Sequence, residues 1–371
     1  MTQSIFIQVG QCGNQIGHRF WDLALKEHSS VNEKGLYDGA MSSFFLNGAG
    51  DDGGFLPKIS GLKARALLVD MEEGVVSEML KGPLKNLYDA RYFITDVSGS
   101  GNNWAVGNLH YGHIHHDELA DAIRKSAELC DYLQCFFILH SMGGGTGSGV
   151  GTHILKILAD DYPDVYSSSR FEGTMNVDLN EISMNLVPFP RLHYLIAAQS
   201  PLNMTDRVSA PRKLDQIFAD AFTKDYQLMS TDPCRHVYMA AALLVRGAIN
   251  ATDIRRNIEK LRSRLCFVPW NREGWKVGHC LVPPVNHVYS LLAISNNTSI
   301  HESFSLILER FYKLYRRKAH LHHYTSVDGF DASMFESSVN SLQDLVVQYV
   351  DFEKQARCQS SPDLPRLEIM D

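Results

Sequence analysis

The first patterned stretch, Ser4-Ile5-Phe6-Ile7-Gln8-Val9, is β-branched and aromatic and predicts a strand, which passes at once into Gly10-Gln11-Cys12-Gly13-Asn14-Gln15-Ile16-Gly17. Beyond it, Ile16, Phe20, Leu23 and Ala24 recur at the spacing of one helix face to about His28. The strand-then-turn pattern returns three times. Ala66-Leu67-Leu68-Val69 runs into Asp70-Met71-Glu72-Glu73-Gly74, and Tyr92-Phe93-Ile94-Thr95 leads to Ser98-Gly99-Ser100-Gly101-Asn102-Asn103-Trp104. Cys135-Phe136-Phe137-Ile138-Leu139, an unbroken apolar run, reads as a buried parallel strand. It ends in His140-Ser141-Met142-Gly143-Gly144-Gly145-Thr146-Gly147-Ser148-Gly149, ahead of an apolar helix from Val150 to Leu158.

The second half reads as a mixed α/β region. Strands are predicted from Leu192 to Gln199, Val237 to Val245 and Val288 to Ile294, with amphipathic helices from Pro211 to Phe222 and Thr252 to Leu261. After Asn296-Asn297-Thr298 come two long amphipathic helices. Phe304 to Arg317 carries Phe304, Leu306, Ile307, Phe311 and Leu314, and Ser333 to Phe352 carries Phe335, Val339, Leu342, Leu345 and Val346. Core packing accounts for these aromatics better than a cofactor site.

The turns carry the candidate chemistry. A helix that opens directly behind a strand points its unpaired amides at the strand's carboxyl end, which makes an anion site; a glycine turn packed tightly between strand and helix fits the same pattern. Carboxylates at a strand end, Asp70 and Glu72, suit Mg²⁺. The Ser98 to Trp104 turn offers amides and side-chain oxygens to phosphate or ribose. Five glycines between Gly143 and Gly149 are costly to order, and amides that approach phosphate oxygens closely require them. The chain has no Gly-Lys dipeptide, and neither the Gly10 nor the Gly143 loop satisfies GxGxxG, so neither a P-loop nor a dinucleotide fingerprint explains these loops.

Composition narrows the class. At 371 residues, 44% hydrophobic and 21% charged, the chain is globular and long enough for two or three domains. A net charge of −7 gives no basic footprint for nucleic acid. Seven cysteines form no CxxC pair and predict a reducing cytosol without disulfides. Gly, Ser, His and Pro interrupt the uncharged stretches Tyr132 to Leu155 and His279 to Ile300, so no membrane span is expected. The clusters His113-Ile114-His115-His116 and His320-Leu321-His322-His323 lack the four convergent ligands of a zinc site.

In order and spacing, Gly10 to Gln15, Asp70 to Gly74, Gly99 to Trp104 and above all Gly143 to Gly149 resemble the nucleotide loops of the tubulin and FtsZ superfamily. Arg170 to Glu181 and Asn185 to Pro190 resemble the segment through which a tubulin meets its neighbour's nucleotide. Phe20-Trp21-Asp22-Leu23-Ala24-Leu25, Met71-Glu72-Glu73 and Lys318 to Tyr324 resemble the epsilon class of that family.

The resemblance implies an α/β fold: a tubulin/FtsZ-like Rossmann-type GTPase domain over residues 1–166, truncated, a mixed α/β intermediate domain over 167–298 and a C-terminal helical region over 299–371. It implies GTP with Mg²⁺. Gly10, Gln11, Cys12 and Gln15 then belong beside the nucleotide, Gly99 and Asn102 at the sugar-phosphate edge, and Ser141, Gly143, Gly144, Gly145, Thr146 and Gly147 around phosphate, with Glu72 and Asp70 toward the metal. Glu181 and Asp178 fall where a family member acts in trans on a neighbour's nucleotide. The implied partners are other tubulins, delta-, alpha- or beta-like, and centriolar proteins, with no nucleic acid or membrane. The implied location is the cytoskeleton of the cytoplasm, at the centrosome, centriole or basal body.

The resemblance also exposes a gap. Between the Val150 to Leu158 helix and Arg170 the family has a long stretch carrying another strand, a ribose loop, the asparagines that read guanine and a central helix. Its shortening here implies that the phosphate half of the pocket is present, the base half is missing, and apolar faces are uncovered. An alternative reading is therefore a nucleotide-free interaction module or a capping isoform. The last residues, Ser360 to Asp371, lack the glutamate-rich tail of alpha- and beta-tubulin, which argues against an ordinary lattice role.

Overall fold

The computed structural model describes residues 3–48, 59, 61–162, 179–202 and 213–359. The 166/167 boundary, Asp178, most of the Arg170 to Glu181 segment and the last twelve residues lie outside these. The chain forms two compact units, Met1–Phe171 with Arg317–Met334, and Glu172–Arg316 with Phe335–Asp371.

The first unit is built on β1 (Gln3–Val9), β2 (Ala66–Asp70), β3 (Phe93–Thr95) and β4 (Leu133–His140), all parallel in the order β3-β2-β1-β4. Side chains alternate across the sheet, so each face builds its own core. Ile5, Ile7, Val9, Leu67, Val69 and Ile94 pack under α3 (His116–Glu128) and α4 (Gly151–Asp161) through Leu119, Ile123, Ile154 and Ile157. Phe6, Ala66 and Leu68 pack under α1 (Gly10–Val31) and α2 (Glu73–Lys81) through Trp21, Ala24, Val76 and Met79. Helices on both faces are what a parallel sheet needs.

Two expectations need correction here. The face of α1 that meets the sheet is not the Ile16 and Leu23 stripe, since these side chains are 52% and 46% exposed. The buried positions are Gly10, Gly13, Asn14, Gly17, Trp21, Ala24, Glu27 and His28. Close approach decides it at the helix start: a Cβ on Gly13 would lie 1.9 Å from the Leu139 carbonyl oxygen, so the first turns of the helix meet the sheet along small residues, and Trp21 packs against Phe6 farther along. The second correction concerns Cys135 to Leu139. Among the described residues β4 pairs with β1 alone and forms the edge of the sheet, and Phe136 to Leu139 are only partly buried.

The second unit contains β5 (Ile196–Ser200), β6 (Val237–Arg246), β7 (Trp275–Cys280) and β8 (Ser290–Asn297), in the order β7-β6-β8-β5. β7 runs parallel to β6, while β8 is antiparallel to both β6 and β5. Sequence patterning missed β7, because Trp-Lys-Val-Gly-His-Cys neither alternates nor forms a continuous apolar run. α6 (Leu214–Asp220) and α7 (Ala251–Arg262) cover one side through Ile217, Phe218, Ile254 and Leu261. On the other side α5 (Leu179–Leu186) sets Ile182 and Leu186 against Ala240 and Ala242.

α8 (Ile300–Tyr315) and α9 (Ser333–Gln359) share a core of Ile300, Phe304, Leu345, Tyr349, Phe352 and Ala356 with Val237 and Met239 of β6. Leu306, Ile307 and Leu314, read from the sequence as part of one packed face, are exposed, because α8 buries only one narrow side. The Asn296-Asn297-Thr298 break is fully buried. Asn296 Nδ2 donates to the carbonyls of Leu186 and Leu192, and Asn297 Nδ2 to that of Pro233, so amide side chains join strand, helix and loop where the backbone turns. Among the described residues no helix is long and apolar enough to cross a membrane, and none of the seven cysteines is in a disulfide.

The α1 packing generates a paired test. Gly13→Ala is expected to lower the thermal midpoint of the first unit by the equivalent of about 1–3 kcal/mol, the usual cost of overpacking against backbone. Gly74→Ala, where a Cβ meets nothing within 4 Å, is expected to leave the midpoint unchanged or raise it slightly. Circular dichroism melts of both variants decide it; equal midpoints would refute the close approach.

Candidate functional site

Parallel pairing in register sets the first unit's chemistry. Val9 lies opposite Val69 on one side and His140 on the other, and Asp70 opposite Thr95. The strands therefore end level, and the segments that follow, starting at Gly10, Met71, Asp96 and Ser141, emerge along one sheet edge. All four loops read from the sequence as nucleotide-facing come together there.

At β1 the structure has no separate glycine loop. α1 begins at Gly10 itself, whose φ of +71° lets the chain turn from strand to helix without a linker. A Cβ at Gly10 would come within 2.9 Å of the Gly147 amide nitrogen, so the first and last loops touch. Asn14 Nδ2 donates to the carbonyls of Gly10 and Val69, tying the helix start to the end of β2. Gln11, Cys12, Gln15 and Ile16 stay exposed.

The glycine string divides in two. Gly145, Gly147 and Gly149 are buried by close packing: a Cβ on Gly145 would sit 2.5 Å from Ser100 Cβ, and one on Gly149 would sit 2.6 Å from Gly107 Cα. Ser100 Oγ and Thr146 Oγ1 share a 3.0 Å hydrogen bond across the same contact, and His140 Nδ1 lies 2.9 Å from the Gly147 carbonyl oxygen. Gly143 and Gly144 remain exposed, with Gly144 at φ +89°. The Gly143 amide donates to Ser141 Oγ at 3.1 Å, and that hydroxyl donates to the Gly143 carbonyl at 2.7 Å. Three of the five glycines are thus also required by loop-on-loop packing, and two leave backbone open to a ligand. Asn102, at φ 55°, is exposed beside them.

The carboxylates at the end of β2 differ sharply. Asp70 is 4% exposed, its Oδ1 accepts from the Glu72 amide at 3.4 Å, and its Oδ2 has no hydrogen-bond partner. Burial, with a smaller push from the nearby Glu72 charge, raises its pKa to about 6. Glu72 is exposed and lies against Gly99, where a Cβ would come within 2.4 Å of Glu72 Oε1. A buried, unpartnered carboxylate oxygen beside an exposed carboxylate is a donor set that a hard divalent cation fits. Glu181 lies within α5, in the second unit, and Asp178 lies outside the described residues.

Two expectations follow from this geometry. Gly145→Ala should unfold or loosen the first unit, whereas Gly143→Ala should change stability by less than about 0.5 kcal/mol, the range of neutral surface changes; denaturant titration of each variant measures this. Asp70 binds a proton more readily folded than unfolded, so its contribution to stability is full below its unfolded pKa near 4 and is lost as pH rises through about 6. Without added metal, Asp70→Asn should therefore stabilise the chain at pH 8 by roughly 2 kcal/mol and not at pH 4. An equal effect at both pH values would contradict the burial argument.

The four loops lie within a region that matches a known family. Residues 3–171 match the family described as Tubulin/FtsZ family, GTPase domain, and residues 190–309 match the Tubulin C-terminal domain. The chain is 45% identical to the tubulin epsilon chain of Mus musculus over 474 aligned positions and 45% identical to that of Homo sapiens over 476, with 100% of this chain and of each relative covered. It is 28% identical to the tubulin beta-3 chain of Echinococcus multilocularis over 438 positions, covering 95% of this chain and 96% of that relative. Against 371 residues, the 474 positions of the mouse alignment leave about a hundred positions of the relative without a counterpart.

Proposed function

This chain belongs to the tubulin family and is a tubulin-like, GTP-binding cytoskeletal protein; we propose that it holds the phosphates of GTP at the level carboxyl edge of its parallel sheet. The observation that carries the reading is the register that brings the Gly10, Asp70, Gly99 and Gly143 loops to one edge, with the Gly143–Gly144 backbone left open. In this reading Gly10, Gln11, Cys12 and Gln15 line the helix start, where unpaired amides favour anionic oxygens. Ser141, Gly143, Gly144, Gly145, Thr146 and Gly147 surround phosphate, and Gly99 and Asn102 flank it.

Asp70 and Glu72 would hold Mg²⁺, which supplies charge neutralisation for the phosphates when bound. The raised pKa of Asp70 fits that role, because a cation beside it would restore its charged form. Hydrolysis would be completed in trans: Glu181 and Asp178 would orient or deprotonate the attacking water on a neighbouring subunit's nucleotide. An isolated chain then binds without turning over. The neighbours are other tubulins, delta-, alpha- or beta-like, and the setting is the centriole or basal body with its centriolar proteins. This part of the reading draws on the likeness to epsilon chains.

A second reading is favoured by the partly buried edge strand β4 and by Ile16 and Leu23 standing open on α1. They are the apolar surface expected if the residues absent from this chain would have covered the base side. On that reading the chain is an interaction or capping module without a nucleotide cycle.

Denaturing a monodisperse preparation of the chain and identifying released nucleotide by chromatography separates the two. Near-stoichiometric guanine nucleotide, reduced at least tenfold by Asp70→Ala with Thr146→Ala and unchanged by Glu181→Gln, is the expected result. Empty, monodisperse protein would establish the second reading instead.

A further inference from the structure

From the second unit we infer a divalent transition-metal site, best suited to zinc, formed by His236, His301 and Glu353. None of these lies in the histidine clusters visible in the sequence. His236 directly precedes β6, His301 lies in the first turn of α8 and Glu353 in the last third of α9. One ligand atom from each lies within 4.8 Å of the others. The side chains are 11%, 19% and 12% exposed, so the donors face one another in a largely dry place.

The distances suit a tetrahedral ion. His236 Nδ1 lies 3.0 Å and His301 Nε2 3.6 Å from Glu353 Oε2. Donors bound at zinc distances around a tetrahedron are separated by about 3.3 Å, so small rotations bring all three to one centre. Two imidazoles and a carboxylate form a borderline donor set that selects zinc over magnesium or calcium, and they leave a fourth position for water.

The surroundings orient these groups as outer ligands orient a metal centre. The remaining nitrogen of His236, Nε2, lies 3.2 Å from Glu302 Oε1, the carboxylate–histidine arrangement that fixes tautomer and ring angle. Thr298 Oγ1 donates to Glu353 Oε2 at 2.8 Å, and Arg357 holds the other oxygen, Oε1, at 2.6 Å. With Thr298 on one oxygen and Arg357 on the other, the carboxylate is held in place and aimed at the two imidazoles. Metal binding would tie α9 to α8 and to the start of β6.

The test uses the purified full chain. After equilibration with micromolar free Zn²⁺ and removal of excess, elemental analysis should find one tightly held zinc per chain, and Co²⁺ in its place should give the intense visible bands of tetrahedral coordination. His301→Gln should weaken Zn²⁺ binding at least tenfold, and Glu302→Gln, outside the ligand set, ten- to a hundredfold. His322→Gln with His323→Gln should leave it unchanged. Circular dichroism confirms that each variant keeps its helix content. Folded chain that takes up no zinc, zinc uptake indifferent to both His301→Gln and Glu302→Gln, or uptake lost in the His322/His323 double variant would each overturn the assignment.

Discussion

The ladders of hydrogen bonds on the two flanks of β1 are the constraint on which the candidate nucleotide edge depends. Because β1 pairs in parallel with both β2 and β4, and β2 with β3, the four strands must point the same way, and their registers make them end level. Four segments that are distant in sequence then have one exit edge. The helix starts at Gly10 and Glu73 and the glycine turn after β4 are placed by that edge, so backbone pairing sets the site before any side chain contributes.

Close backbone contact completes the arrangement. Gly13 brings α1 onto β4, Gly10 meets Gly147, and Gly145 and Gly149 seat the last loop against Ser100 and Gly107. A larger residue at any of these points would push a loop off the edge. The cost of ordering so many glycines is offset by buried apolar packing on both faces of the sheet, while Gly143 and Gly144 stay free to meet a ligand. The same logic governs Asp70. A buried carboxylate with an unpartnered oxygen costs stability, and a site that binds a cation can retain such a group.

The second unit reaches its order by different means. β6, fully buried along most of its length, is its central strand, and the turn beyond β8 is held by buried amides. His236, Glu353 and Glu302 cross-link the two long helices to that strand. The polar contacts lie at one end of the apolar core shared by α8, α9 and β6, so metal binding there and helix packing would reinforce each other.

The sequence by itself determined most of the elements and the loops in which the candidate chemistry lies. Ser4 to Val9, Ala66 to Val69 and Val237 to Val245 are legible as strands because each is a short apolar run of strand length, and the glycine string stands out as a turn directly behind one of them. Local spacing could not say which side of α1 is buried, since that follows from how near a helix must come to a sheet, and the apolar Ile16 and Leu23 lost to Gly13 and Gly17. Nor could it say that Cys135 to Leu139 forms an edge, because an apolar run looks the same with one neighbour or two. His236, His301 and Glu353 share no spacing, and only the packing of two helices on a strand brings them together. What depends on residues near in sequence was legible, and what depends on approach distance and on which elements become neighbours was decided by the tertiary structure.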